Sequence, residues 1–283
     1  MPAESTGSGE RLIETVATFW AHYDDDLIFA NPTVMHALDS GHRTRSFFFT
    51  AGDAGKGLSP YMDGRERGIR AAYDNMRGAS GPWSDRSVVL DNGVTVTVTR
   101  PDADDRVSLT LLRLPDGGLG GAGYEATGRQ SLRRLLTGEL SSMSTLDTGQ
   151  EVTLELLRST VTELVLASRA TKVITHHPGA LSVASGDHPD HQSVGRIVAE
   201  AVDAGPIDAG VVQYAIGYLA AERPANLDPD VLDRKLAVFA SYAAHDPVVA
   251  RDEIQKYLEV RGFGEWLQRQ YLVPHGELPQ RDE

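Results

Sequence analysis

The chain has 283 residues with 40 acidic and 27 basic side chains, a formal charge of −13 and no cysteine. Disulfide scaffolds, thiolate metal sites, Cys-X-X-Cys redox centres and cysteine nucleophiles are excluded, so any metal must sit on nitrogen and oxygen. The acidic balance, without a dense Lys/Arg stripe, argues against nucleic acid, and no apolar run reaches the roughly 18–20 residues of a membrane span.

Residues 1–10 read as a disordered lead-in with neither a basic leader nor an apolar export core, so a cytoplasmic location is expected. Leu12 to Trp20 is an apolar, β-branched run with the look of a buried strand, and Arg45 to Thr50 is a second. A glycine-rich loop, Ala51 to Gly57, leads to a helix over Tyr61 to Gly78, carried by Ile69, Ala72, Tyr73 and Met76. Ser87 to Thr99 reads as a hairpin about Asp91-Asn92-Gly93, because Asn-Gly favours a tight primed turn. Val107 to Leu114 is a strand, Glu151 to Ala167 an amphipathic helix, Lys172 to His176 a short strand and Gln192 to Val202 a helix. Val211 to Ile216 and Val231 to Ala244 close the pattern as strand and helix. Strands alternating with helices predict an α/β fold: a Rossmann-like, mostly parallel sheet with helices on both faces and an antiparallel hairpin at one edge. With no linker or repeat to divide it, 11–283 reads as one domain, variable from about residue 205.

Two clusters carry the chemistry. His22-Tyr23-Asp24-Asp25-Asp26 directly follows the first strand, where ligands gather in an α/β sheet. An imidazole with several carboxylates offers metal ligands and a spare carboxylate for proton transfer, and a cation would offset the repulsion among the aspartates; a solvated acidic turn is the plainer alternative. Gly186-Asp187-His188-Pro189-Asp190-His191 precedes a helix, so one histidine could hold a metal while the other handles protons. The plainer alternative is that Asp187 or Asp190 caps the helix and the histidines are exposed.

Together, His22-Tyr-Asp24-Asp25 and His188-Pro-Asp190-His191 resemble the two signatures of the LmbE-like family, zinc-dependent de-N-acetylases related to N-acetylglucosaminyl-phosphatidylinositol deacetylase (PIG-L). The similarity extends through Thr50-Ala-Gly-Asp-Ala-Gly55 and Arg65 and covers roughly residues 12 to 204. The later part, with Tyr218, Asn226-Leu227, Lys235 and Tyr242-Ala-Ala-His245-Asp246, resembles the actinobacterial branch that includes glycopeptide-antibiotic sugar deacetylases. The resemblance implies one Zn2+ (or another divalent metal) on His22, Asp25 and His191, with Asp24 as general base. It also implies His188, oriented by Asp190, as the oxyanion and leaving-group residue, and Arg65 as a substrate contact. The implied partner is a small N-acetylated amino sugar, cleaved to acetate and a free amine.

Three positions depart from the family pattern. Tyr23 replaces a proline, so it could present an aromatic ring to substrate; Gly68 replaces a glutamate, which puts the usual packing of that helix in doubt; Gly186 replaces the tyrosine of the thiol-sugar branch.

Gly118-Leu-Gly120-Gly-Ala-Gly123 formally satisfies a dinucleotide fingerprint but lies in a long loop with no helix opening on its last glycine, and reads better as a loop near the substrate mouth. No G-x-S-x-G elbow or phosphate-binding P-loop is present. His176-His177 and His245-Asp246 could each line or cover the cleft or serve as capping groups. The alternatives to a deacetylase are a diverged metal-binding accessory protein and a nicotinamide-dependent oxidoreductase.

Overall fold

The computed structural model describes residues 12–179 and 186–279, so the expected lead-in lies outside the described residues. In chain order the strands are β1 (Thr15–Trp20), β2 (Arg43–Thr50), β3 (Trp83–Val89), β4 (Thr95–Pro101), β5 (Val107–Leu114), the short ribbon β6 (Met143–Ser144) and β7 (Glu151–Val152), β8 (Lys172–His176), β9 (Val212–Ala215) and β10 (Leu272–Pro274). The α-helices are α1 (Thr33–Asp39), α2 (Pro60–Met76), α3 (Leu132–Leu136), α4 (Leu154–Ser168), α5 (Pro189–Asp203), α6 (Pro229–Ala243) and α7 (Phe263–Leu267).

Eight strands form one sheet in the order β10-β9-β8-β1-β2-β5-β4-β3. The five from β9 to β5 pair in parallel, and the expected hairpin, β3 with β4, adds antiparallel at one edge. The other edge carries a second antiparallel strand, β10, too short at three residues to stand out in the sequence.

Strand residues feed two cores in alternation, which is why the parallel strands read as unbroken apolar runs. Trp20, Phe48, Leu109 and Ile174 point to the layer of α1, α2, α6 and α7, while Ala17, Phe19, Phe47, Phe49 and Val173 point to the layer of α3, α4 and α5. Each fully buried Phe or Ile stabilises the fold by about 1.5–3 kcal/mol through lost apolar surface.

Helix starts lie one to three residues earlier than expected, at Pro60, Pro189 and Pro229. Proline at the first helical position lacks only an N–H that would be orphaned anyway, so in each case it opens the helix. The fourth helix starts later than expected, at Leu154, because Glu151 and Val152 pair as a strand and Thr153 caps the backbone N–H of Leu156.

Candidate metal centre

From β1 the chain moves outward through β2 to β5, then crosses back to β8 on the far side of β1. The carboxyl ends of β1 and β8 therefore flank a topological switch point, the crevice where ligands bind in open α/β sheets. The His22–Asp25 turn leaves the first strand there, His176 ends the second, and α5 begins over the gap. Gly195 makes that approach possible: a Cβ on it would lie 2.2 Å from the backbone oxygen of His176.

His22, Asp25 and His191 come together. Oδ2 of Asp25 accepts the backbone N–H of His22 at 2.6 Å and lies 3.4 Å from its Nδ1, and Oδ1 lies 3.0 Å from Nε2 of His191. Further donors join them. His176 is fully buried with Nε2 3.0 Å from Asp25 Oδ2, and its ring stacks on that of His191 at 4.1 Å. Asp116, which sequence reasoning did not single out, places Oδ2 3.8 Å from His22 Nε2. Three overlapping groups bring one donor atom per residue within 4.8 Å of one another: His22, His188 and His191; Asp25, His176 and His191; and His22, Asp116, His188 and Asp190.

These residues fit a divalent cation. All the donors are nitrogen or oxygen, and among the described residues the Nε2 atoms of His22 and His191 are buried without a hydrogen-bond partner. Orphaned buried polar atoms are costly unless something is meant to meet them.

The electrostatics agree. Burial opposes charge on both His191 and Asp25, yet their proximity prevails: Asp25 and Asp187 lift His191 to about 9, while His191, His176 and His22 hold the Asp25 carboxyl well below the usual carboxylate range. Burial and the neighbouring imidazole of His191 push His176 down to about 4, so it is neutral. Burial, His22 and His191 likewise push His188 well below its ordinary value.

His188 caps α5: its Nδ1 accepts the backbone N–H of Asp190 at 3.1 Å. A neutral ring with Nδ1 accepting carries its proton on Nε2. The expectation that the Asp190 carboxylate orients His188 needs correcting. That side chain turns to the loop after β5, where Oδ2 accepts the N–H of Gly117 at 2.8 Å and lies 3.6 Å from His22 Nε2. Asp187 holds the other ring nitrogen of His191: its Oδ1 lies 2.9 Å from His191 Nδ1 and also accepts the N–H of His188 at 2.8 Å.

Asp24 is buried beside the cluster, with Oδ1 accepting from Arg65 Nη2 at 2.6 Å. Burial pushes its carboxyl above the ordinary value, and the Arg65 guanidinium pulls the other way. Tyr23 does not meet substrate space. It is fully buried, its ring packs on Phe48 at 5.3 Å, and its hydroxyl donates to Glu66 at 3.0 Å. A residue between His22 and Asp24 points to the opposite side of the turn, into the core.

The glycine-rich loop after β2 and the loop after β5 meet near the site. Asp53 accepts the N–H of Asp116 at 2.9 Å, and Gly55 packs against Tyr124. In the glycine-rich stretch, the residues after Gly123 form only a 3-10 turn, Glu125–Thr127, so the dinucleotide reading loses its required helix. His177 accepts the N–H of Gly179 in its own turn, and His245 is exposed.

An α/β sheet with a buried His/Asp cluster that could hold a metal at its switch point defines the class. The chain belongs to the PIG-L family, described as GlcNAc-PI de-N-acetylase, whose profile matches residues 17–202. No curated protein matches the sequence. Among solved structures the chain is similar to the A40926 pseudoaglycone deacetylase, at 15% identity over 89% of this chain and 87% of that one, with a TM-score of 0.48. It is similar to N,N'-diacetylchitobiose deacetylase from Pyrococcus horikoshii, at 15% identity over 93% and 84%, TM-score 0.47. It is also similar to the 4-carboxy-2-hydroxymuconate hydratase of Pseudomonas putida KT2440, at 14% identity over 88% and 90%, TM-score 0.43. None of the helices in the described residues is long and apolar enough to cross a membrane.

Proposed function

We propose that the protein is a metal-dependent hydrolase that removes the N-acetyl group from an amino sugar. The observation that carries this reading is the pair of buried imidazole Nε2 atoms without a hydrogen bond, that of His191 facing Asp25 and that of His22 facing Asp190 and Asp116, inside a PIG-L family domain. His22, Asp25 and His191 would hold the ion, taken as Zn2+ from the nitrogen and oxygen donors, with His176 and Asp116 as the nearest additional donors. Such an ion supplies Lewis acidity, lowering the pKa of a water and polarising an amide carbonyl.

The protein's own residues would do the rest. The Asp24 carboxylate would take the proton of the attacking water at the oxygen not held by Arg65. His188, with its proton on Nε2, would donate a hydrogen bond to the developing oxyanion, and the proton that Asp24 took from the water would pass on to the leaving amine as the C–N bond breaks. Asp187 would fix the His191 ring, and Asp190 would accept from the loop after β5 beside His22. Arg65 uses one N–H of each Nη atom within the protein, leaving one on each for a sugar hydroxyl. The amino-sugar unit would belong to a specialised metabolite or glycoconjugate. A screen of N-acetylglucosamine conjugates, disaccharides and inositol glycosides for acetate release tests the reading. Turnover of at least one of them is the expected result, and none with metal-loaded protein would overturn it.

A further inference from the structure

Beyond the segment the family profile matches, two side chains reach back into the site. Tyr242, near the end of α6, accepts Arg65 Nε–H at its hydroxyl at 2.5 Å. The same hydroxyl donates to Asp246 Oδ2 at 3.0 Å, and that oxygen lies 3.3 Å from Arg65 Nε. On its other side Arg65 donates Nη1–H to the backbone oxygen of Gly52 at 2.8 Å and Nη2–H to Asp24. Tyr242 is fully buried, and Asp246 and Arg65 are nearly so, at 2% and 7% exposure. A guanidinium fork clamped along its Nε and Nη1 edges has a fixed plane, so the Nη2 N–H that meets Asp24 is held in a fixed direction.

The chain makes room for this clamp in α2. A Cβ on Gly68 would lie 2.7 Å from the Tyr242 backbone oxygen, and one on Gly64 would lie 2.6 Å from that of His245. Those two glycines, one turn apart on the helix that carries Arg65, let α6 and its C-terminal turn lie directly on α2. A glutamate at position 68 would push Tyr242 away. The glycine that departs from the family pattern is therefore the residue that admits the tyrosine.

We propose that Tyr242 and Asp246 are positioning residues that lock Arg65, and through it hold Asp24 in the orientation of a general base. The proposal rests on the deacetylase reading. It places a working part of the site in the segment after residue 202, outside the matched family region.

Tyr242→Phe removes the hydroxyl and keeps the ring. In the full-length, metal-loaded protein it should lower kcat about tenfold or more, the scale of a misplaced catalytic group, with KM and bound metal within twofold of wild type. Asp246→Asn should fall the same way by a smaller factor. In an Asp24→Asn background Tyr242→Phe should cause no further loss, because both act through one carboxylate. Crystal structures of wild type and Tyr242→Phe give a readout independent of turnover: the Arg65 to Asp24 contact should be lost or rotated in the variant. An unchanged kcat with that contact intact overturns the proposal, as does a loss confined to KM or to thermal stability. If wild type deacetylates nothing, the functional reading fails while the crystallographic comparison still decides the clamp.

Discussion

Oδ1 of Asp187 lies 2.9 Å from Nδ1 of His191, and this contact turns the other ring nitrogen towards Asp25. Carboxylate partners of metal-binding histidines raise ligand basicity and fix the ring. Asp187→Ala should weaken metal binding by about 10- to 100-fold, measured by competition with a chromophoric chelator. An unchanged affinity would reduce Asp187 to a helix-end hydrogen-bonding group.

Asp24→Asn keeps the shape of the base and removes its proton affinity. It should retain bound metal and lose on the order of 10²- to 10⁴-fold in kcat, the range for general-base catalysis. Equal metal content with full turnover in the variant would show that another group takes the proton.

The buried hydroxyl of Tyr23 bonds Glu66, which Arg113 also grips at 2.7 Å. Tyr23→Phe should therefore lower unfolding stability by about 1 kcal/mol and leave kcat and KM within twofold. A several-fold rise in KM with unchanged stability would restore it as a substrate contact.

Lys235 is fully buried, and its Nζ donates to the backbone oxygens of Ile28 at 2.6 Å and Arg269 at 2.9 Å, two acceptors for the two N–H groups of a neutral amine. Burial lowers its pKa from 10.5 to about 7. Between those values the unfolded chain binds the extra proton, so the Lys235 contribution to stability is fully present above about pH 10.5 and is lost as pH falls towards 7. Denaturant unfolding of wild type and Lys235→Met across that window should show the wild type gaining on the variant as pH rises, by at most about 5 kcal/mol. A flat difference would mean that the ammonium form is held in the fold.

The parallel core and the two chemical clusters were legible because both are local. Strands buried on both faces announce themselves as apolar runs, and a metal-type donor set at a strand end stands out by residue type. What escaped was set by packing between distant segments. Asp116 reaches His22 only because the loop after β5 folds back over the β1 end, and His176 could be read as a cap until β8 was paired with β1. The inward turn of Tyr23 is not legible in the sequence, because the direction of a side chain in a tight turn depends on backbone angles that residue types alone do not specify. At Gly68 a departure from the family pattern marks a packing contact, since its missing side chain is what lets Tyr242 approach Arg65.

On the proposed function, His22, Asp25 and His191 would hold a divalent ion that serves hydrolysis of an N-acetylated amino sugar. The most direct measurement is acetate release from an N-acetylglucosamine conjugate by the purified protein, before and after metal removal with a chelator and after reloading with zinc. Turnover should disappear with the metal and return with it. Turnover indifferent to the chelator in metal-free protein, or none after zinc reloading, would contradict it.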